Sequence, residues 1–237
     1  MSDDIAKINA AAAALDYVEE GMTIGLGTGS TAAHFVRLLG ERVRQGAVVL
    51  GVPTSEATRA LAEATGVPLV DLARVTQIHL VVDGADEIDH DFNLIKGGGG
   101  ALLREKIIAS AADHVVIIAD QSKPVQRLGG FPVPIEVAPF GFTITARQIF
   151  EVLREAGCAG DEVTLRHGAQ PTLPFITDNG NFILDAACKS IPDPSALADM
   201  LSAIPGVIEH GLFIELAHTI IIGGEEDVEV WEEGDDE

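Results

Sequence analysis

The sequence predicts an α/β fold: a largely parallel sheet with helices on both faces, carrying a smaller inserted α+β domain. Three observations predict it. Apolar, β-branched runs alternate with segments of helical period four times before about residue 128. The 47% hydrophobic content comes mostly from Ala, Val, Ile and Leu, with only 5% aromatic residues, which suits α/β layers better than an all-β sandwich. From about residue 129 the pattern breaks into short, Pro-rich strand candidates, and a final apolar run, AHTIIIGG, then returns.

The elements follow in order. Ile5, Ile8, Ala12 and Leu15 recur at helical spacing and predict an N-terminal helix over 3–19. A strand is expected at 23–26 and a helix from about 30 to 44. AVVLGV (47–52) reads as a buried strand, and SEATRALAEAT as a helix opened by a Ser cap. IHLVVDGADEID is a strand ending in acids. GGGGALLREKIIASAA opens on glycines and continues as a helix, and HVVIIADQSK is a strand running into polar residues. GGFPVPIEVAP is too Pro-rich to be a central strand throughout. TARQIFEVLREAG is a helix with a Gly stop. Strands are expected at 161–165, 173–177 and 181–187, and DPSALADMLSAI is a helix with Pro in its first turn. AHTIIIGG (217–224) reads as a buried strand returning to the main sheet. The expected domains are therefore 1–128 with 207–224, an inserted 129–206, and an acidic tail, 225–237.

Composition excludes several functions. No apolar run approaches the roughly 18–20 residues of a membrane span. The start, MSDDIAKINA, lacks the basic and apolar regions of a signal peptide. Cys158 and Cys188 form no C-x-x-C pair and read as buried thiols of a cytoplasmic protein. The net charge is −22, so nucleic acid and anionic membranes are poor partners, and an anionic substrate needs a local site working against the global field. Nine of the thirteen residues 225–237 are acidic. That tail reads as a solvated, frayed end whose deletion leaves catalysis intact; docking around Trp231 is the alternative.

Four stretches carry candidate chemistry. TIGLGTGSTAAHF (23–35) is strand, glycine turn, helix, a way to aim backbone N–H groups at an anion. The dinucleotide fingerprint needs a third glycine, where Ser30 stands, and an acid about twenty residues on, where Val48, Val49 and Leu50 stand. Thr28, Ser30 and Thr31 instead offer hydroxyls suited to a terminal phosphate; a plain helix cap is the alternative. In VVDGADEID, Asp83 and Asp86 flank a strand end, where carboxylates act on sugar hydroxyls or as acid and base; an Asp-Gly turn is the commoner case. In LIKGGGGALLREK, the four glycines let backbone approach a ligand, and Lys96 with Glu105 supplies what an enediolate reaction needs. A carboxylate takes a proton from carbon and a cation steadies the oxyanion; a flexible loop before a surface helix is the alternative. In IIADQSK, Lys123 lies just beyond another strand end, where it reaches the same crevice or is simply solvated. His79 and His90 show no metal-ligand spacing, and no nucleophile–His pair is supported.

GLGTGSTA, GVPTS, DGADEID, KGGGGAL, REK, ADQSK, TDNGN and GVIEHGLF occur in that order. Together they resemble ribose-5-phosphate isomerase of type A over about residues 5–224. The resemblance implies an aldose–ketose isomerase of the non-oxidative pentose phosphate pathway. It would interconvert D-ribose 5-phosphate and D-ribulose 5-phosphate through a cis-enediolate, with no metal and no cofactor. Thr28, Gly29, Ser30, Thr31, Asp83, Gly84, Ala85, Asp86, Lys96, Gly97, Gly98, Gly99 and Lys123 match the family's phosphate and sugar loops, and Lys7 a position near the phosphate. Glu105 matches the catalytic proton acceptor. Lys96 would stabilise the oxyanion, and Asp83 with Asp86 would move protons between sugar oxygens and assist ring opening. The larger domain is expected to be Rossmann-like and the protein a homodimer or homotetramer. The tail and the segment AGCAGDEVTLRHGAQ depart from the familiar pattern and lie away from the motifs in sequence.

Three other functions compete. A sugar-phosphate sensor would keep the phosphate loop without needing Glu105 and Lys96, but it usually carries a DNA-binding domain. A nucleotide-dependent oxidoreductase is disfavoured by the missing glycine and acid. An acyl-CoA transferase is disfavoured by the Asp pair.

Overall fold

A computed structural model describes residues 2–232 and Gly234. In chain order the elements are α1 (Ser2–Ala14), β1 (Thr23–Leu26), α2 (Ser30–Arg44), β2 (Leu50–Pro53), α3 (Glu56–Thr65), β3 (Leu80–Asp83), β4 (Glu87–Ile88), β5 (Leu94–Ile95), α4 (Leu102–Ala109), β6 (Val115–Asp120) and β7 (Val133–Val137). They continue with α5 (Phe142–Glu155), β8 (Glu162–Leu165), β9 (Phe182–Ala187), α6 (Pro194–Ser202), β10 (Val207–His210), β11 (Leu212–Phe213), β12 (Thr219–Gly223) and β13 (Val228–Glu232).

The chain forms two compact units. The first takes the residues up to Ala85, Arg104–Lys123 and the residues from Leu216 on. Its sheet has the order β13-β12-β6-β3-β1-β2, in which all neighbours but β13 run parallel. Ile24 and Leu26 point into a core with Phe35, Val36 and Leu39 of α2, Ala10 and Ala14 of α1, and Ala62 of α3. Gly25 points the other way, where a side-chain carbon would stand 2.6 Å from Ile108 of α4. Helices therefore cover both faces, as the alternation predicts. Ser55 caps α3 by accepting the Thr58 N–H, as expected from its sequence position.

The second unit comprises Asp86–Leu103 and Pro124–Glu215. It holds an antiparallel sheet, β10-β7-β9-β8, and a small one, β11-β5-β4. Ile95, Leu128 and Leu212 belong to the same buried cluster as Ile135, Ile149, Leu184 and Leu197. That shared core places residues 86–103, 124–128 and 207–215 in this unit, although the sequence assigned them to the larger domain. Cys188 is buried in it and Cys158 packs against it half-buried, both as free thiols.

Three local expectations change. β7 is an interior strand despite Pro134. Pairing with β10 ends at Ile135–His210, so the side that Pro134 faces needs no amide donor there, and the Pro134 carbonyl accepts the Gly211 N–H at 2.7 Å. Residues 173–177 form no strand; a single bridge joins His167 to Pro174. The tail is not frayed throughout, because Val228–Glu232 pairs with β12 from Thr219–Glu232 to Gly223–Val228. Val228, Val230 and Trp231 give that stretch a strand propensity which its acidity concealed.

Truncation after Gly224 is accordingly expected to do harm. It strips β12 of a neighbour and leaves Ile220, Ile221 and Ile222 on an open edge. The truncated protein should melt several degrees lower (roughly 2–4 °C per kcal/mol lost) and associate in light scattering. A truncated protein with the intact melting temperature and unchanged scattering would contradict this.

Candidate active site

In the first unit, β1 is flanked by β2 and β3, so the chain changes direction across the sheet between β1 and β3. Ligands of open α/β sheets bind outside the carboxyl ends of strands at such a point. The loops there are Gly27–Gly29 after β1 and Gly84–Ala85 after β3. Gly27 is needed because a side-chain carbon would lie 2.2 Å from Asp83 Oδ1 and 2.5 Å from its Cα. Gly29 opens α2 at φ 114°, a conformation that favours glycine. Asp83 is only 2% exposed, and its Oδ1 accepts the N–H groups of Thr28 (3.0 Å) and Gly84 (2.7 Å). One carboxylate thus ties the two loops to each other.

The Thr28 hydroxyl faces inward. It bonds to the hydroxyls of Thr54 (2.7 Å), Ser55 (2.8 Å) and Thr58 (3.1 Å). Thr54 donates to the Leu26 carbonyl and Thr58 to the Gly27 carbonyl, each at 2.9 Å. This network fixes the turn from below. GVPTS has no readable role in the sequence beyond its likeness; its two hydroxyls, with Thr58, hold the glycine loop. Ser30 is exposed at the start of α2 and Thr31 is 8% exposed beside it, so the helix terminus keeps hydroxyls and N–H groups together.

Asp120 ends β6. Burial pushes its carboxyl up, but hydrogen bonds from the Ser122 hydroxyl and N–H, with the ammonium groups of Lys123 and Lys7, outweigh that and hold it below the ordinary value. Lys7 of α1 and Lys123 therefore both act on this carboxylate through their charge, two cations that lie far apart in the sequence. Glu105 stands in the first turns of α4 and is 4% exposed. Its neighbour Arg104 turns to Glu56 of α3, at 2.8 Å.

The second unit contains the other candidates. Asp86 donates its backbone N–H to Ile95 (2.8 Å), and its Oδ2 accepts the Gly98 N–H (2.7 Å). Asp83 and Asp86 thus do separate local jobs: one ties the loops after β1 and β3, the other ties Gly98. Lys96 follows β5 and is 3% exposed. Its N–H donates to the Gly211 carbonyl at 2.8 Å, and its ammonium lies 5.2 Å from the centre of the Phe213 ring. Gly97 to Gly100 form a turn closed by the Gly100 N–H on the Gly97 carbonyl at 2.9 Å. Gly98 and Gly99 are exposed. Arg166 reaches this turn, although its segment looked remote from every motif. Its Nη1 donates to the carbonyls of Gly97 (2.8 Å) and Gly98 (3.1 Å). No spacing in the sequence links residue 166 to residue 97; only the pairing of β8 with β9 carries it there.

Comparison with known proteins gives the family. The family model for ribose 5-phosphate isomerase A (phosphoriboisomerase A) matches residues 50–227. The ribose-5-phosphate isomerase A of Nitrobacter hamburgensis is 56% identical over 232 residues, covering 98% of this chain and 99% of that protein. That of Maricaulis maris is 54% identical over 226 residues, covering 95% and 97%. A solved D-ribose-5-phosphate isomerase in complex with phospho-erythronic acid superposes with a TM-score of 0.90 at 42% identity, covering 98% of this chain and 99% of its own. The ribose 5-phosphate isomerase A of Methanocaldococcus jannaschii gives 0.89 at 39%, covering 98% and 100%.

Proposed function

The chain belongs to the ribose 5-phosphate isomerase A family, and from that premise we propose how its residues divide the work of the reaction. The protein is an aldose–ketose isomerase that interconverts D-ribose 5-phosphate and D-ribulose 5-phosphate. The observation that carries the assignment of roles is the anion-binding loop after β1, tied to Asp83 at the direction change of the sheet.

The substrate phosphate sits on the N–H groups and hydroxyls of Gly29, Ser30 and Thr31, with Thr28 fixing the turn. Lys7 and Lys123 add positive charge that the net −22 of the chain otherwise withholds. The related structure that holds phospho-erythronic acid supports a site for a phosphorylated sugar acid. Glu105 takes the proton from C2 of the open-chain aldose and returns it to C1, through a cis-enediolate. Lys96 and the N–H groups of Gly97, Gly98 and Gly99 stabilise the negative oxygen. Asp83, Gly84, Ala85 and Asp86 line the sugar, and the two carboxylates move protons between its oxygens and assist ring opening.

The reaction as proposed needs no metal and no cofactor. Among the described residues, no three His, Cys, Asp or Glu side chains come together as metal ligands. A coupled assay on ribose 5-phosphate should give the same rate with and without EDTA. Loss on chelation, restored by a divalent ion, would refute the metal-free mechanism.

The phosphate loop has its own test. Ser30→Ala and Thr31→Ala each remove a donor to a charged acceptor, worth roughly 1.5–3 kcal/mol. KM for ribose 5-phosphate should rise roughly ten- to a hundredfold, and the preference over unphosphorylated ribose should shrink. Unchanged preference in both variants would take the phosphate away from this loop.

The protein is further proposed to act as a homodimer or homotetramer in the cytoplasm, with nucleic acid and membrane excluded as partners. Phe140, 95% exposed, and Ile144, 63% exposed, support a self-association surface. No helix among the described residues is long and apolar enough to cross a membrane.

A further inference from the structure

Arg166 is more than a structural ion pair. Its Nε donates to Asp185 Oδ2 at 2.9 Å and its Nη2 to Asp185 Oδ1, a two-pronged pairing that fixes the plane of the guanidinium. Its backbone is fixed as well: its N–H donates to Ile183 and its carbonyl accepts from Phe175, both at 2.8 Å. The Phe175 ring lies 6.0 Å from Arg166 Cζ and packs so closely on Gly100 that a side-chain carbon there would be 2.5 Å from it. The group so held aims Nη1 at two successive carbonyls, those of Gly97 and Gly98.

Those two bonds have a directional consequence. In a trans peptide the carbonyl and the following N–H point in opposite directions, and no cis peptide occurs among the described residues. The Gly97 carbonyl turned to Arg166 sends the Gly98 N–H the opposite way, where Asp86 Oδ2 accepts it at 2.7 Å. The Gly98 carbonyl turned to Arg166 sends the N–H of Gly99, an exposed residue, away from the guanidinium in the same manner. A run of four glycines would otherwise sample many peptide orientations.

We infer that Arg166, oriented by Asp185, is a positioning residue for the isomerase: it sets the peptide planes of the glycine loop so that the Gly99 N–H is presented to the substrate oxyanion. The inference rests on the proposed role of Gly97, Gly98 and Gly99. Arg166 itself touches no substrate. Its effect should fall on the step in which charge develops, more than on phosphate binding. A guanidinium is required, because a lysine ammonium lacks the planar fork that spans Asp185 and two carbonyls.

The test is steady-state kinetics on ribose 5-phosphate, with melting temperature recorded in parallel. Arg166→Ala should lower kcat roughly 10- to 100-fold, the scale of a misplaced catalytic group, with KM changed little. Added guanidinium ion should restore part of the loss, and ammonium ion should not. Arg166→Lys, which keeps the charge, should be impaired while melting like the wild type; it also serves if Arg166→Ala does not fold. Asp185→Asn should lower kcat less than Arg166→Ala, and the double variant should be no worse than Arg166→Ala alone. Wild-type kcat in Arg166→Lys, a loss confined to KM, or no rescue by guanidinium in a folded Arg166→Ala would each overturn the inference. Wild-type protein inactive on ribose 5-phosphate would instead overturn the proposed function.

Discussion

Glu105→Gln lowers kcat on ribose 5-phosphate by roughly 10²–10⁴-fold, the range for loss of a general base, and the upper end is expected. Glu105 is only 4% exposed, so bulk water is a poor substitute for the missing base. Glutamine keeps the shape and can still hydrogen-bond, but it cannot accept a proton from carbon. KM should hold within a few-fold, because Ser30, Thr31 and the hydroxyls under Thr28 are untouched. A second readout is isotopic. The wild type should exchange the migrating hydrogen, at least in part, with deuterated solvent, and the variant should not. Near-normal turnover in Glu105→Gln would remove Glu105 from the mechanism and give its role to Asp83.

Lys96→Met should lower kcat roughly 10²–10³-fold, the cost of removing one preorganised group from a developing oxyanion. Lys96 is 3% exposed, so losing its buried charge should also lower the melting temperature. Methionine keeps most of the apolar stem and can remain against the Phe213 ring. Kinetics and thermal melting together separate the two effects. Wild-type kcat in a variant that melts normally would show that the glycine N–H groups alone stabilise the oxyanion.

The legible parts of the fold are those with a repeating local signal. β1 and α2 lie where apolar alternation, glycine and helical period place them, at Thr23–Leu26 and Ser30–Arg44. α3 follows its Ser cap and α6 its Asp-Pro start. The two-residue strands β4, β5 and β11 were invisible, since two residues have no period. They decide the division of the chain, because they draw 86–103 into the second core. Pro134 misled for a different reason: the tolerance of an interior strand for proline depends on where its neighbour stops, which is tertiary information. In the site, the residue types and their order in the chain were readable. What local sequence could not supply was the support beneath them: Thr54 and Thr58 under the glycine loop, and Arg166 on the glycine carbonyls. Each of these hydrogen bonds spans 26 or more residues, carried by packing.

The parallel pairing of β12 with β6 has a consequence for the birth of the protein. β6 is complete at residue 120, but the strand that lies beside it comes from 219–223. α1, made before β1, packs on both β6 and β12, with Ala6 directly against Gly223. During synthesis the first unit therefore waits, one side of β6 unpaired and α1 only partly seated, until β12 has left the ribosome. The second unit has all of its residues by Glu215, before β12 in the chain. A nascent chain interrupted before β12 carries every residue assigned to the reaction, yet lacks the finished sheet that holds the loops after β1 and β3. The hazard of exposed apolar strand edges lasts until β12 reaches β6, and that pairing ends it.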